Sequence, residues 1–378
     1  MIETLVGTPE FEQNNHREQE KKFLPIFPER LAELRHNALP IEQYYLSHPS
    51  ESFSLRFRET FKDGELYYVA ALKDRGVITA TGLDRLEVEV PITAKTYNYY
   101  NTDEAAILRK LRAEVNRNVV VDFYDDGYVQ VESEDPIAWT HFSERHGTAF
   151  VDVTGEHIAD NEWRAHLAYR REHEGKETLV PDEDLNSKLI AYEILSHHRK
   201  TPIMTVQISG RSGSGKSTIV REIQRELESY GLNSIVISTD DYHRGAAWLR
   251  ANNNGQEWTE WDHPIVYDTE AMADDISKLH AGYKVPRRQI DFSDCSPIIT
   301  GEITPADVVI IEGIYALSPD FYQFDTLQYS VPTPLATCIG RRLLRDIKER
   351  PEFADPAKSL RYMLEQAEPM WREQVSAL

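Results

Sequence analysis

The chain has 378 residues, 40% of them hydrophobic and 28% charged, with a formal net charge of −21. That length is too great for one ordinary core and points to two or three domains of soluble, globular composition. The acidic balance opposes non-specific binding to nucleic acid or to an anionic membrane surface, so any anionic ligand must be held by locally gathered Lys and Arg or through a metal ion. Only Cys295 and Cys338 occur, which excludes a disulfide framework and suggests a reducing compartment. The opening "MIETLVGTPEFEQNN" lacks the basic start and apolar stretch of a secretion signal. No apolar run approaches the ~20 residues that span a bilayer. A cytoplasmic setting is expected.

The first informative stretch, "HREQEKKFLPIF", places Glu18, Glu20 and Lys22 two residues apart, so on a strand all three share one face. Short alternating segments follow to about residue 155: "SLRFRET", "LYYVAALKDRG", "DRLEVEVPI", "NVVVDFYDDG", "YVQVESED" and "AFVDVTGE". Bounded by Gly, Asp-Gly and Pro, they read as antiparallel strands joined by turns. Their charges align by face: Arg56 with Arg58, Lys73 with Arg75, Arg85 with Glu87 and Glu89, Glu132 with Glu134. Leu55, Phe57, Leu72, Leu86, Val88 and Val90 fill the alternate faces. Periodicity alone favours a half-buried sheet whose outer face wears cross-strand ion pairs.

The order of these segments resembles the CYTH family of triphosphate tunnel enzymes: E-x-E-x-K, then "IEQYYLS" with a two-arginine strand, a K-x-R strand, an E-x-E strand and a late "VDVTGE". That resemblance, over roughly residues 15 to 170, implies a closed antiparallel β-tunnel with its charged face inward. Lys22, Arg56, Arg58, Lys73, Arg75 and Arg109, with Arg112 beside them, would grip a triphosphate or pyrophosphate. Glu18 and Glu20 cannot meet such a chain directly, because like charges ~4 Å apart repel by about 4 kcal/mol at an effective dielectric of 20. A divalent cation must lie between, and carboxylates suit Mg²⁺ or Mn²⁺. Glu132 and Glu134 are the further candidate ligands, while Glu87 and Glu89 either join them or pair with the arginines. Hydrolase and cyclase chemistry both remain open. The histidines His141, His146, His197 and His198 lack zinc-site spacing and read as surface residues.

After a charged linker and a candidate helix at 182–198, the texture changes. "PIMTVQIS", "KSTIVREIQRELESYG", "SIVIST" and "ADVVIIEG" alternate apolar strands with helical patterns, the βαβ rhythm of a parallel sheet flanked by helices. "GRSGSGKST" fits G-x-x-x-x-G-K-[ST] between a strand and an amphipathic helix, the context a phosphate loop needs. Gly210, Ser212, Gly213, Ser214, Gly215, Lys216, Ser217 and Thr218 would wrap the phosphates of ATP, with Lys216 on the transferring group and Ser217 on Mg²⁺.

From 202 to about 370 the chain resembles the uridine kinase family, through "STDDYHRG", "EWDHPIVYDTEAM", "VVIIEGIYAL" and "GRRLLRDIKER". The resemblance implies that Asp240 is the base on the acceptor hydroxyl, that Glu312 holds or orients Mg²⁺, and that Asp262 contacts a sugar hydroxyl. It puts Arg342 and His243 near the acceptor, and Arg345 and Arg350 on the transferring phosphoryl group. "VPRRQIDFSDCSP" departs from the family: Arg288 or Ile290 falls where an aromatic is expected, and no histidine follows, so the acceptor stays open. Trp258 and Trp261 wall the acceptor pocket or pack a core.

The resulting expectation is a CYTH-like tunnel domain at 1–172, a linker and helix at 173–200, and a P-loop kinase domain at 201–378. Three functions fit: a kinase for a nucleoside or other small hydroxyl compound, a tunnel triphosphatase, pyrophosphatase or cyclase with a secondary P-loop domain, or a non-catalytic nucleotide or polyphosphate sensor.

Overall fold

A computed structural model describes residues 16–102, 105–147, 149–173, 185–198, 203–291, 293–324, 326–349 and 355–376. These divide into two compact units: one runs to residue 173 and takes in 355–360, and the other holds 185–349 and 361–376.

The first unit comprises β1 (Arg17–Pro25), β2 (Leu39–Tyr45), β3 (Phe53–Lys62), β4 (Glu65–Asp74), β5 (Val77–Thr79), β6 (Gly82–Pro91), α1 (Ala94–Tyr100), β7 (Ala106–Asn116), β8 (Val119–Tyr124), β9 (Val129–Ser133), α2 (Pro136–His146), β10 (Phe150–Asp152) and α3 (Asn161–Glu172). Among the described residues, eight strands close an antiparallel tunnel in the order β1-β9-β8-β7-β2-β3-β4-β6, and β6 returns to β1. Closure is possible because β1 serves both neighbours: Glu18 stands opposite Arg85 of β6, and Lys22 opposite Glu132 of β9. The β3–β4 turn is set by Asp63 and Gly64, at φ 55° and 86°. Two successive residues of positive φ match the right-handed twist of the strands they join.

The apolar face of this tunnel points outward. Leu55, Phe57, Leu72, Val88 and Val90 are buried, and the Phe57 ring lies 5.0 Å from the rings of Tyr44 and of Tyr100 on α1. Elsewhere Phe23, Val121 and Val131 pack with Leu31 and with Phe142 of α2. At one end, inward-facing Tyr45, Leu108 and Tyr124 gather around Ala165 of α3, and the Tyr124 hydroxyl donates to Asn161 at 2.5 Å. Helix α3 thus stoppers that end.

The second unit comprises α4 (Ser187–His198), β11 (Met204–Ser209), α5 (Lys216–Ser229), β12 (Ser234–Ser238), α6 (Ala246–Asn252), α7 (Thr269–His280), β13 (Val285–Asp291), β14 (Ser296–Ile303), β15 (Val308–Glu312), β16 (Thr326–Ser330), α8 (Leu335–Glu349) and α10 (Glu368–Ser376), while α9 (Pro356–Tyr362) is divided between the units after residue 360. Strands β12, β15, β11 and β16 form a parallel sheet in that order. Its two faces have separate cores. Ile190, Ile194, Ile223 and Leu227 from α4 and α5 cover one, and Met272, Ile276 and Leu279 from α7 cover the other. The stretch "VPRRQIDFSDCSP" belongs to the hairpin β13–β14. No helix among the described residues is long and apolar enough to cross a membrane.

If the outward core is what holds the tunnel closed, Phe57→Ala should destabilise the first unit by about 3–5 kcal/mol. Two cores need not unfold together. Urea unfolding followed by tyrosine-rich near-ultraviolet dichroism should show one transition moving to lower denaturant, and an unmoved profile would contradict this packing.

Candidate functional sites: a charged tunnel and a phosphate loop

The tunnel encloses about 460 Å³, lined by Glu18, Glu20, Lys22, Arg56, Arg58, Lys73, Arg85, Glu87, Glu89, Arg112, Glu132 and Glu134. Strand alternation brings charges of both signs to one confined interior, and they pair. Lys73 bridges Glu18 at 2.9 Å and Glu87 at 2.8 Å. Arg85 spans Glu18 at 2.7 Å and Glu20 at 2.5 Å. Lys22 lies 3.4 Å from both Glu20 and Glu132, and Arg112 joins Glu132 to Asp122 at 2.6 Å each. Arg56 takes Glu89 at 2.5 Å, with Arg58 3.5 Å away.

Burial would raise every carboxyl here, and the neighbours decide which ones resist. Against burial, Lys73 and Arg85 hold Glu18 well below the usual range, and Arg112 and Lys22 do the same for Glu132. Burial similarly opposes ionisation of Glu89, yet Arg58 and Arg56 bring it down to about 2. Glu87 goes the other way, to about 7: burial dominates, and Glu18 and Glu89 add to it despite Lys73. Glu134 is raised by burial and then by the charges of Glu18 and Glu20. These three carboxylates therefore share one electrostatic neighbourhood, the donor chemistry a hard divalent cation uses. Among the described residues, no three His, Cys, Asp or Glu side chains yet converge closely enough to enclose such an ion. Arg85 bridges Glu18 and Glu20.

Two of the expected phosphate ligands stand differently. Arg109 and Arg112 both lie on strand β7, where an odd separation puts them on opposite faces. Arg112 faces in, while Arg109 is on the outside, 61% exposed and paired with Glu42 at 2.7 Å. Arg75 borders the cavity but spends its donors on the backbone oxygens of Glu51, His48 and Phe53 at 2.6, 3.0 and 3.3 Å and on the Glu162 carboxylate. It braces a loop against α3. Lys110, two residues before Arg112, was not anticipated. It is buried on Asp122 at 2.6 Å, and burial with Arg112 nearby lowers its ammonium to about 8.

In the second unit, β11 delivers the chain to Gly210 and α5 begins at Lys216. The loop between depends on two glycines. Gly213, at φ 83°, has the Cys338 carbonyl oxygen 2.3 Å from where a Cβ would lie, and Gly215, at φ 95°, caps α5. Lys216 rests its ammonium on the carbonyls of Gly210 and Arg211 at 2.9 and 3.0 Å. Burial lowers its pKa, opposed by Glu312 and Asp240. Across the crevice, Glu312 at the end of β15 accepts from Ser217 at 3.3 Å and from Ser238 at 3.0 Å. Ser217 and Glu312 are thus adjacent oxygen donors, fit for Mg²⁺. Asp240 sits in the turn just after β12, where open parallel sheets place their ligands. The Arg345 guanidinium reaches Ser212 of the loop at 3.3 Å. Ser214 is buried, its carbonyl bound by Thr333 at 2.7 Å, and Thr218 faces Arg221 at 3.4 Å. Arg350 lies outside the described residues.

On the acceptor side, Arg342 grips Asp262 with two nitrogens at 3.2 and 3.0 Å. His243 accepts the Gly245 N–H at 2.9 Å and stacks on Trp261 at 5.9 Å. Trp258 and Trp261 pack against Leu249, Val266, Tyr267 and Tyr315, so they serve as core. Arg288 donates to buried Asp275 at 3.0 Å and lies over the Tyr242 ring, which ties it into the fold.

The model of the phosphoribulokinase/uridine kinase family matches residues 205–357. The uridine kinase of Ureaplasma urealyticum serovar 10 is 33% identical over 153 residues, 40% of this chain and 72% of that protein. The uridine kinase of Clostridium perfringens is 33% identical over 154 residues, 40% of this chain and 71% of that protein. A crystal structure of an inorganic triphosphatase, 20% identical, covers 39% of this chain and 93% of its own with a TM-score of 0.25. With the phosphate loop, Asp240, Glu312 and the arginines of α8 set around one crevice, and relatives matched over more than two thirds of their length, this chain belongs to the uridine kinase family.

Proposed function

We propose that the second unit is an ATP-dependent kinase for a hydroxyl group on a nucleoside or another small hydroxyl compound. The observation that carries this reading is the cluster Lys216–Ser217–Glu312–Asp240 at the carboxyl end of the parallel sheet. Lys216 would leave its two carbonyls for the β- and γ-phosphates, and the loop N–H groups would take the remaining oxygens. Ser217 and Glu312 would hold Mg²⁺, which supplies charge neutralisation between the phosphates. Asp240 would accept the proton of the attacking hydroxyl as its oxygen bonds to the γ-phosphorus and ADP departs. Arg345, and Arg350 by the family resemblance, would balance charge on the transferring group. Asp262, Arg342 and His243 would orient the acceptor. The anchored Arg288 and the missing aromatic and histidine of the hairpin favour an acceptor other than a pyrimidine nucleoside read through its base.

For the first unit, the reading best supported is binding or hydrolysis of triphosphate or pyrophosphate with Mg²⁺ or Mn²⁺. Lys22, Arg56, Arg58, Lys73 and Arg112 would hold phosphate oxygens, and Glu18, Glu20 and Glu134, with Glu132 beside them, would hold the metal. A cytoplasmic protein acting on nucleotide and phosphate, without nucleic acid or membrane, fits the charge balance and cysteine usage.

Lys216→Ala should cost about 10²–10³ in phosphoryl transfer, by loss of a charge aimed at the reacting phosphate. Asp240→Asn should abolish transfer and leave ATP affinity nearly unchanged; full turnover by that variant would remove Asp240 as the base. In the tunnel, replacing Glu18 and Glu20 together by Gln should eliminate the metal dependence of tripolyphosphate binding, and Arg56→Ala should weaken binding with metal still required. An ordinary solvated strand would instead leave calorimetry unchanged and stability within about 1 kcal/mol.

A further inference from the structure

Asp262, the residue assigned to the acceptor's hydroxyl groups, already holds a hydroxyl. The Tyr362 side chain donates to Asp262 Oδ2 at 2.8 Å, and the Asp262 backbone N–H donates to the same Tyr362 oxygen at 3.1 Å. Arg342 completes the contact from the other side and stacks over the Tyr362 ring at 5.5 Å. Tyr362 opens a segment that passes through a π-helical turn at 363–367 into α10, and single π turns of this kind recur at functional sites.

Farther along, the same segment grips the phosphate loop. Glu368 accepts two N–H groups of Arg211 at 2.9 and 3.1 Å, Arg211 stacks on Trp371 at 3.9 Å, and Arg372 braces Glu368 at 2.7 Å. Arg211 is the loop residue whose carbonyl receives the Lys216 ammonium. The space left between loop, Asp262 and segment is about 40 Å³, whereas small-ligand pockets run to about 300 Å³ or more. Inside the segment, Gln366 Oε1 and Trp371 Nε1 are shut from solvent with no hydrogen-bond partner, a desolvation penalty that opening would relieve.

We propose that residues 362–372 form a strap closed across the acceptor pocket. Tyr362 occupies the place of an acceptor hydroxyl on Asp262, and the Arg211–Glu368–Trp371 clamp ties the strap to the phosphate loop. The acceptor is then a compound with a hydroxyl able to replace that of Tyr362, and the strap excludes molecules that cannot make the exchange. Because one residue, Arg211, serves the strap with its side chain and Lys216 with its backbone, acceptor entry and the setting of the phosphate loop are linked. This inference rests on the kinase reading of Asp262.

Hydrogen–deuterium exchange on the full chain without acceptor tests the strap itself. Tyr362→Phe and Glu368→Gln each release one end, so amides in 363–372 should exchange about tenfold faster in either variant, with α5 unchanged as the control for folding. Wild-type rates in both variants would overturn the strap. With Mg-ATP and ribose, a small polyhydroxyl compound, as the acceptor probe, Tyr362→Phe should lower the acceptor KM several-fold without moving the ATP KM. A raised acceptor KM would mean that Tyr362 binds acceptor and would overturn its stand-in role. Failure of ribose as a substrate of the wild-type chain counts against the acceptor class alone, since the exchange result decides the strap without any acceptor.

Discussion

Phosphate chains are polyanions, and this chain carries a formal charge of −21. A site for them has to build positive potential inside an overall negative field, and the two units meet that constraint by different physics. The first turns a barrel inside out: Leu55, Phe57, Leu72, Val88 and Val90 go to the outside under aromatic residues, which frees the inner face for Lys22, Arg56, Arg58, Lys73, Arg85 and Arg112. So many cations in a confined interior would each cost several kcal/mol if left unpaired. The interleaved Glu18, Glu20, Glu87, Glu89 and Glu132 are what allow that interior to fold.

The pairing makes the empty tunnel a set of exchangeable contacts. An incoming phosphate would compete for cations that carboxylates now occupy, and every carboxylate it displaced would be left facing others. Glu134, raised first by burial and then by the charges of Glu18 and Glu20, already lies in that neighbourhood. A divalent cation resolves it, so metal and phosphate would each raise affinity for the other, as linked ligands must. The phosphate loop needs less of this balancing. Its positive potential comes from backbone N–H groups and the start of α5, with Lys216 parked on two carbonyls rather than on an acid.

The parts of this arrangement that were legible in the sequence are those fixed by local periodicity. E-x-E-x-K on β1 and the paired charges of β3 and β6 keep a strict spacing of two, and one tunnel interior receives them. The phosphate loop was legible because its glycines answer to backbone geometry, as the 2.3 Å approach at Gly213 makes plain. Strand β7 was not. "AILRKLRAEVN" is rich in Ala, Leu, Arg and Lys, good helix formers, and its strand state is imposed by pairing with β2 and β8. The family likeness placed Arg109 among the phosphate ligands, whereas this pairing turns it outward, and Lys110 carried no motif of its own. Nor could spacing reveal Tyr362 on Asp262, Glu368 on Arg211 or Glu162 on Arg75, since each joins residues far apart in the chain with no motif of its own.

The two solutions also differ in what they ask of protons. Side-chain charges titrate, and the tunnel contains a carboxyl at about 7 in Glu87 and an ammonium at about 8 in Lys110, both displaced there first by burial. As pH rises through that window, Glu87 gains a negative charge and Lys110 loses a positive one, and both changes subtract from the potential that would hold phosphate. Backbone dipoles do not titrate, so the loop keeps its N–H groups aimed at phosphate across the same range. Lys216 alone is exposed to the effect, and Glu312 and Asp240 offset the fall that burial causes in its pKa. The same two acids that the kinase reading assigns to metal and acceptor thereby oppose the loss of charge on Lys216, which would tie the carboxylates of the reaction to the anion site they face.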